Sequence, residues 1–259
     1  MTIEVDPDWW KRLFDEVYLQ TDARSVDNAS VTQKEMDIFT ALVPMQPHHR
    51  ILDLCGGHGR HTLELCRRGF RDCTVLDYSQ PLLDIGARHA ADRKYNITFV
   101  QGDARDTALS ADAFDHVFIL GNSLGYIPEP DADLKILQES QRLLKSGGWL
   151  LLDVSDGEAA QTNLPPRAWH EIGDDMVVCR QREISNGRIC AREMVLSKST
   201  GLVRDNNYCI RLYRGNDLAN LTESAGFEAV DVHTGASVLS GMADVGLMNH
   251  RLVVTARKP

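Results

Sequence analysis

The sequence predicts an α/β fold with a mostly parallel sheet, and three observations lead to this prediction. Between residues 50 and 155, short apolar segments alternate with helical segments, which is typical of βαβ crossovers. A glycine-rich turn, residues 55–59, joins the first of these strands to its helix. Between residues 168 and 214 the alternation gives way to strands joined by short turns, which indicates an antiparallel insert.

Two helices are predicted within the first 49 residues, before the sheet begins. Apolar residues recur at helical spacing over residues 8–19, namely Trp10, Leu13, Phe14 and Val17. A second helix is predicted over residues 32–43, because Thr32 followed by Glu35 fits a capping box.

The segment 50–155 supplies the parallel strands and their crossover helices. The predicted strands are residues 50–54, 73–76, 97–101, 114–120 and 149–154. Helices are predicted to end near Arg68, to begin around Pro81 and to span residues 131–144. Gly69 is the residue type expected after a helix, and proline suits a first helical turn.

The remaining residues predict an insert and a return to the main sheet. Strands are expected at residues 176–183, 188–196 and 206–213, and the Asn186-Gly187 pair is a strong hairpin signal. A helix over 217–225 and strands over 227–233 and 251–256 complete the chain. Because no shift in composition marks a second domain, we predict one domain with an insert.

Composition and charge exclude several classes of protein. The 259 residues carry 28 Lys and Arg against 37 Asp and Glu, a net charge of −9, which disfavours binding to a phosphate backbone. The apolar runs are too short to span a bilayer, and the acidic, aromatic N-terminus does not resemble a secretory signal. Six cysteines are not a disulfide framework, so we predict a cytoplasmic protein. The cysteines other than Cys55 and Cys66 are most simply buried small apolar residues.

Three sequence elements predict a nucleoside-containing ligand. Gly56, Gly57 and Gly59 let a ligand approach the backbone where a helix N-terminus offers unpaired N–H groups. Asp77 ends the next strand, where a carboxylate can accept hydrogen bonds from both hydroxyls of a ribose. The segment Gly102-Asp103-Ala104 ends the third strand, at the edge of the sheet that would meet an adenine.

These elements, in this order, resemble the class I S-adenosylmethionine-dependent methyltransferases over about residues 50–153. The resemblance implies a three-layer Rossmann-like methyltransferase fold with seven strands, mostly parallel, whose last strand is antiparallel. It implies S-adenosyl-L-methionine as the cofactor. The implied binding residues are Asp53, Cys55, Gly56, Gly57 and Gly59 around the methionine part, Asp77 at the ribose, Asp103 and Ala104 at the adenine, and Gly121 and Asn122 beside the methyl group. Tyr78 is a further candidate for cofactor binding. Cys55 stands where the family usually has the first glycine of its loop.

The same resemblance divides the chain and suggests its acceptor. Residues 1–49 would form a helical lid, 50–155 the cofactor-binding core, 168–214 an antiparallel cap and 215–259 the C-terminal helix and strands. Such caps are typical of methyltransferases that act on small molecules. The segment Gly121-Asn-Ser-Leu-Gly-Tyr126 lacks the prolines of DNA and protein-glutamine methyltransferases. We therefore expect methylation of a small molecule at nitrogen or oxygen, without DNA or a membrane as partner, and a possible homodimer through the cap edge.

The candidate catalytic residues are Tyr18, Asn122 and His170. Further candidates on the acceptor side are Tyr126, Trp169, Arg204, Tyr208, Arg211, Arg214 and His250. Ordinary helix packing for Tyr18 and a surface position for His170 are the simpler interpretations.

Several alternatives stay open from the sequence. The acceptor could be a protein or an RNA, or the chain could bind the cofactor without turnover. A nicotinamide dinucleotide fold is disfavoured because Gly57, Gly59 and Thr62 match its glycine spacing poorly. The set Cys55, His58, His61 and Cys66 resembles zinc spacing but fits no closed tetrahedral pattern, so no metal is expected.

Overall fold

The structure is a computed structural model that describes residues 3–22, 28–235 and 246–259. Its larger sheet has seven strands in the order β10-β11-β5-β4-β1-β2-β3. These strands are β1 (Arg50–Leu54), β2 (Asp72–Asp77), β3 (Ile97–Gln101), β4 (Phe114–Ile119), β5 (Leu144–Ser155), β10 (Glu228–Thr234) and β11 (Arg251–Arg257). Strands β1 to β5 pair in parallel, whereas β11 is antiparallel to both β5 and β10. This arrangement confirms the predicted fold class.

Helices cover both faces of this sheet and explain its apolar strands. They are α1 (Trp10–Leu13), α2 (Glu16–Thr21), α3 (Ala29–Leu42), α4 (Arg60–Arg67), α5 (Gln80–Asp92), α6 (Ala132–Leu143), α7 (Gly157–Asn163) and α8 (Gly215–Ser224). Successive side chains of β1 point to opposite faces, so Ile51 packs in one hydrophobic cluster and Leu52 in the other. Burial on both faces accounts for strands that read as continuous apolar runs.

A second sheet of four antiparallel strands lies in the insert. Its strands, in spatial order, are β6 (Arg167–Ile172), β7 (Met176–Ser185), β8 (Arg188–Ser197) and β9 (Gly201–Arg211). Asn186 and Gly187 both have positive φ, 50° and 69°, which suits the hairpin turn predicted there. The sequence predicted three strands and missed β6, because only alternate residues of β6 are partly covered and its composition is polar.

The N-terminal helices differ from the prediction in two ways. The expected single helix over residues 8–19 is broken at Phe14, whose backbone is extended and whose carbonyl accepts a hydrogen bond from the Ser79 hydroxyl at 2.5 Å. Asp15 then caps α2 by accepting from the Tyr18 N–H. The predicted capping box is also wrong, because Asn28 caps α3 and Glu35 is buried in ion pairs.

One pair of cysteines is joined, which corrects the prediction that these residues are buried apolar groups. Cys190 and Cys209 lie directly opposite each other on β8 and β9 and form a disulfide. Cys55, Cys66, Cys73 and Cys179 are free thiols. Among the helices of residues 3–22, 28–235 and 246–259, none is long and apolar enough to cross a membrane.

Candidate active site

The glycine-rich turn after β1 is held in an unusual backbone conformation. Cys55, Gly57 and Gly59 have φ values of 60°, 58° and 70°. Glycine adopts this left-handed region without strain, so Cys55 takes a glycine-like conformation at the position where the family usually has glycine. The Gly57 N–H donates to Asp77 Oδ2 at 2.8 Å and ties the turn to the end of β2.

Asp53 supports the turn from below. It is buried, and its Oδ2 accepts a hydrogen bond from the Thr62 hydroxyl at 2.8 Å. A Cβ on Gly56 would lie 2.7 Å from the Asp53 Cγ, so the Asp53 side chain leaves room only for glycine at position 56. Burial raises the pKa of Asp53 to about 6.

A cavity of about 130 Å³ opens above the turn, and we call it the turn cavity. The predicted cofactor residues that line it are Cys55, Gly56, Gly57, Asp77, Tyr78, Asp103, Ala104 and Gly121. The three others lie elsewhere. Asp53 lies beneath the turn, Gly59 caps α4, and Asn122 faces a second cavity.

Asp77 is the half-buried acid of the turn cavity. Its Oδ1 accepts from the Ser79 N–H and its Oδ2 from the Gly57 N–H, both at 2.8 Å. Burial raises its pKa, although these backbone hydrogen bonds oppose the shift. Because each oxygen has a further lone pair, the carboxylate can accept additional hydrogen bonds from a ligand.

Two aromatic rings border the same cavity. Trp10 and Tyr78 have ring centroids 4.8 Å apart, and the Arg105 guanidinium lies 5.5 Å from the Trp10 ring centroid. Arg105 also pairs with Asp103 at 2.7 Å. The sequence did not predict Trp10 as a site residue, since its helical spacing marked it only as an apolar position of a helix.

A second cavity of about 380 Å³, the cap cavity, lies between the insert sheet and the end of β4. Of the predicted acceptor residues it is lined by Tyr18, Asn122, Tyr126, Trp169, His170, Tyr208 and His250. Both cavities share five lining residues, Phe14, Tyr18, Arg60, Gly121 and Tyr126. The two spaces therefore meet at one wall.

Asn122 and Tyr126 organise this shared wall. The Asn122 side chain accepts from the Ser155 N–H at 2.8 Å and donates to the Tyr126 hydroxyl at 3.3 Å. Burial raises the pKa values of Tyr18 and Tyr126. Both phenols therefore keep their protons at neutral pH and can act as hydrogen-bond donors.

The floor of the cap cavity carries a charged cluster that sequence reasoning missed. Arg180 donates to Glu193 at 2.6 Å and to Asp22 at 3.1 Å, and the Arg180 and Glu193 side chains are largely buried. Burial alone would lower the pKa of Arg180, but these two carboxylates raise it. Burial raises the pKa of the adjacent Tyr208 to about 12. Side chains alternate between the two faces of β7 and β8. This alternation would have placed Arg180 and Glu193 in the cavity if the sequence had shown which face of the insert sheet lines it.

Arg60 connects the shared wall to a buried ion network. Its guanidinium pairs with Glu35, which also pairs with Arg251 at 2.7 Å. Arg251 reaches Asp153 at 3.3 Å, and Asp153 in turn accepts from the Gly121 N–H at 3.0 Å. The four charged residues of this network come from four separate elements, so no local spacing in the sequence could have predicted it.

Three predicted arginines lie outside both cavities. Arg204 donates to the Leu13 carbonyl at 3.2 Å and pairs with Asp15. Arg211 pairs with Asp133, and Arg214 lies 3.6 Å from Glu158. The first two brace the N-terminal segment and the loop after β4 rather than facing a ligand.

The donor set of the turn cavity fits S-adenosyl-L-methionine. The glycines leave backbone exposed, the free lone pairs of Asp77 suit a diol, and the rings of Trp10 and Tyr78 suit a planar base. His58 and His61 also line this cavity. Across the described ranges, no group of three or more His, Cys, Asp or Glu side chains is arranged to hold a metal ion.

Comparison with known proteins agrees with this geometry. Residues 51–148 match the family model described as a methyltransferase domain. The ubiquinone/menaquinone biosynthesis C-methyltransferase UbiE of Rhizobium rhizogenes is 31% identical over 138 residues, which cover 51% of this chain and 52% of that protein. The chain thus spans about half the length of the curated relatives it matches.

Solved structures share the fold over nearly the whole chain. The CcbJ methyltransferase from Streptomyces caelestis superposes with a TM-score of 0.76 at 20% identity, covering 98% of this chain and 100% of that one. The sugar N-methyltransferase KedS8 from a Streptoalloteichus species gives 0.67 at 20% identity, covering 100% and 97%. Residues 51–148 thus match a methyltransferase domain, and the chain has the fold of S-adenosylmethionine-dependent methyltransferases.

Proposed function

We propose that this chain transfers the methyl group of S-adenosyl-L-methionine to a nitrogen or oxygen atom of a small-molecule acceptor. The observation that carries the proposal is the wall shared by the turn cavity and the cap cavity. A cofactor in the first and an acceptor in the second would bring their reacting atoms together at Gly121, Tyr18 and Tyr126. Holding the two reactants in a fixed relative geometry is itself a large source of rate acceleration.

The turn cavity would hold the cofactor by the groups already described. Asp77 would accept hydrogen bonds from the ribose hydroxyls, and the backbone of Gly56 and Gly57 would face the methionine part. Asp103 and Ala104 would contact the adenine, with Trp10 and Tyr78 covering it. The bound cofactor supplies an electrophilic methyl group on a sulfonium.

The chain's own residues would position the acceptor and exclude water. Tyr18 and Tyr126 keep their protons, so their hydroxyls would donate to the acceptor and orient its lone pair along the methyl direction. Asn122 fixes the Tyr126 hydroxyl. His170 lines the cap cavity and would take up a proton that the acceptor loses.

The size and enclosure of the cap cavity support a small acceptor. Its volume of about 380 Å³ falls within the range of small-molecule sites, and the insert sheet covers it. The net charge of −9 disfavours an RNA acceptor. KedS8, which has the same fold, is named as a sugar N-methyltransferase. A protein acceptor and a binding protein without turnover are the alternatives, and cytoplasmic localisation stays a prediction.

Calorimetry followed by a turnover assay tests the proposal. We expect the full chain to bind S-adenosyl-L-methionine and S-adenosyl-L-homocysteine, and to move radiolabelled methyl from the former to a member of a panel of small amines, alcohols and thiols. Binding without transfer to any panel member, combined with labelling of protein or RNA in parallel reactions, would favour a macromolecular acceptor. Absence of binding to both cofactor forms at millimolar concentration would refute the proposal.

A further inference from the structure

Strand β6 is an edge of the insert sheet. It pairs only with β7 among the described residues, and its residues alternate between exposed and partly covered. Trp169, in the middle of the strand, has 69% of its surface exposed. An edge strand with an exposed aromatic residue presents unpaired backbone groups to which another strand can add.

The hydrogen bonds to β7 determine which backbone groups of β6 are available. The Arg182 N–H donates to the Pro166 carbonyl at 2.7 Å, so this pair belongs to the hydrogen-bonded type. By alternation along an antiparallel ladder, Ala168 and His170 also bond to β7. The N–H and C=O groups of Arg167, Trp169 and Glu171 therefore point away from β7, towards the open edge.

The outward-facing residues are complementary to themselves. When a second copy of β6 pairs antiparallel with Trp169 opposite Trp169, Arg167 lies opposite Glu171 of the partner subunit, and Glu171 lies opposite Arg167 of the partner subunit. Moving the pairing by one register step, to Arg167 opposite Trp169, removes both charge pairs. Opposite charges and aromatic pairs at directly opposed positions are the contacts that stabilise antiparallel strands.

We propose that the chain forms a two-fold homodimer in which β6 pairs with β6 about Trp169, which joins the two insert sheets into one sheet of eight strands. Two Arg167–Glu171 pairs flank the central tryptophan pair. Trp169 also lines the cap cavity, so Trp169 of the partner subunit lies beside the rim of that cavity.

Charge reversal at the two edge positions tests this pairing, with light scattering and sedimentation equilibrium on the full chain as the measurements. The wild type is expected at twice 28.9 kDa at tens of micromolar. Arg167→Glu alone and Glu171→Arg alone each place like charges opposite each other twice, and should raise the dimer dissociation constant at least about tenfold. An equimolar mixture of the two single variants restores both opposite-charge pairs and should form heterodimers, as should the double variant with itself.

A matched control separates the edge charges from a contact within the chain. Glu171 pairs with Lys198 at 2.9 Å on the same sheet, and Lys198→Ala removes that pair while leaving the edge charges in place. This variant should dimerise like the wild type. A monomeric wild type at these concentrations, or single variants that dimerise as tightly as the wild type, would overturn the proposal. Folding of each variant is checked by circular dichroism, and cofactor binding provides an independent check of the turn cavity.

Discussion

The side-chain amide of Asn122 donates a hydrogen bond to the hydroxyl of Tyr126 at 3.3 Å and so joins the end of β4 to the wall between the two cavities. Asn122 itself has a φ of 66°, a conformation that asparagine tolerates better than most residues. Its carbonyl oxygen accepts from the Ser155 N–H, so one side chain anchors both β5 and the tyrosine. The family resemblance placed Asn122 beside the methyl group, and its position explains how it could act through Tyr126.

Two substitutions at this position separate its backbone role from its side-chain role. Asn122→Gly keeps the left-handed backbone and removes the amide, whereas Asn122→Ala also adds backbone strain. We expect the free energy of unfolding to fall by roughly 1–2 kcal/mol in Asn122→Gly, because a buried N–H of Ser155 loses its acceptor. Asn122→Ala should lose about 1 kcal/mol more. Urea unfolding measures both.

Tyr126→Phe completes this series. The ring stays and only the hydroxyl is lost, so stability should change by less than about 1 kcal/mol. Methyl transfer to the acceptor identified by the panel should fall by about tenfold, with the affinity for S-adenosyl-L-homocysteine within twofold of the wild type. Asn96→Ala, at the exposed position just before β3, is the control. Unchanged transfer in Tyr126→Phe would show that this hydroxyl does not contact the acceptor.

The half-buried carboxylate of Asp77 leads us to expect a sharp loss of cofactor affinity in Asp77→Asn. Both oxygens already accept a backbone N–H, and an amide would place its NH2 group against one of these donors. Because hydrogen bonds to a charged group contribute about 1.5–3 kcal/mol, affinity for S-adenosyl-L-homocysteine should fall about 10- to 100-fold by calorimetry. Asp92→Asn, at the exposed end of α5, should bind normally. Equal affinities in the two variants would remove Asp77 from the ribose site.

The parts of the site that follow one another along the chain could be predicted from the sequence. The glycine turn, Asp77 and the Asp103-Ala104 pair each follow a predicted strand, and the carboxyl ends of parallel strands meet at one edge of a sheet. Eight of the predicted cofactor residues line the turn cavity for this reason. The fold class was accessible by the same pattern of alternating strands and helices.

The parts built from distant elements could not be predicted in this way. Arg180 meets Asp22 only because the insert sheet folds back over the N-terminal segment. Trp10 covers the turn cavity only because the N-terminal helix is broken at Phe14, whose carbonyl accepts a hydrogen bond from the Ser79 hydroxyl. Such contacts depend on tertiary packing, and no local spacing of residues in the sequence indicates them.

We expect Gly86→Ala to change stability in the direction opposite to that given by helix propensity. It lies inside α5, where alanine would normally stabilise a helix by up to about 1 kcal/mol. A Cβ there would lie 2.6 Å from the His58 carbonyl oxygen and 2.6 Å from the Phe99 ring. Gly86→Ala should therefore destabilise the protein by roughly 1–3 kcal/mol and displace the glycine turn, which weakens cofactor binding.

Ala87 provides the comparison for this test, since it is exposed on the same helix. Ala87→Gly should cost only the propensity difference, about 1 kcal/mol, with cofactor affinity unchanged. Chemical denaturation and calorimetry with S-adenosyl-L-homocysteine give both quantities. A more stable Gly86→Ala protein would mean that α5 moves away from the turn without cost.

His116 predicts a specific dependence of stability on pH. It is buried in β4, with Nε2 2.8 Å from Nδ1 of His49, and burial together with His49 lowers its pKa from 6.5 to about 4. Between these values the unfolded chain binds a proton that the folded chain does not, so stability is lost as the pH falls below about 6.5. From pH 7 to pH 5 this residue should remove about 2 kcal/mol of unfolding free energy.

Two variants test this contribution. His116→Gln lacks it, so the free energy of unfolding of this variant should fall by about 2 kcal/mol less than that of the wild type between pH 7 and pH 5. His48→Gln, at an exposed position, should follow the wild type. Because His116→Gln and the wild type differ in no other titrating side chain, parallel urea-unfolding profiles for these two proteins would show that His116 accepts its proton in the folded protein.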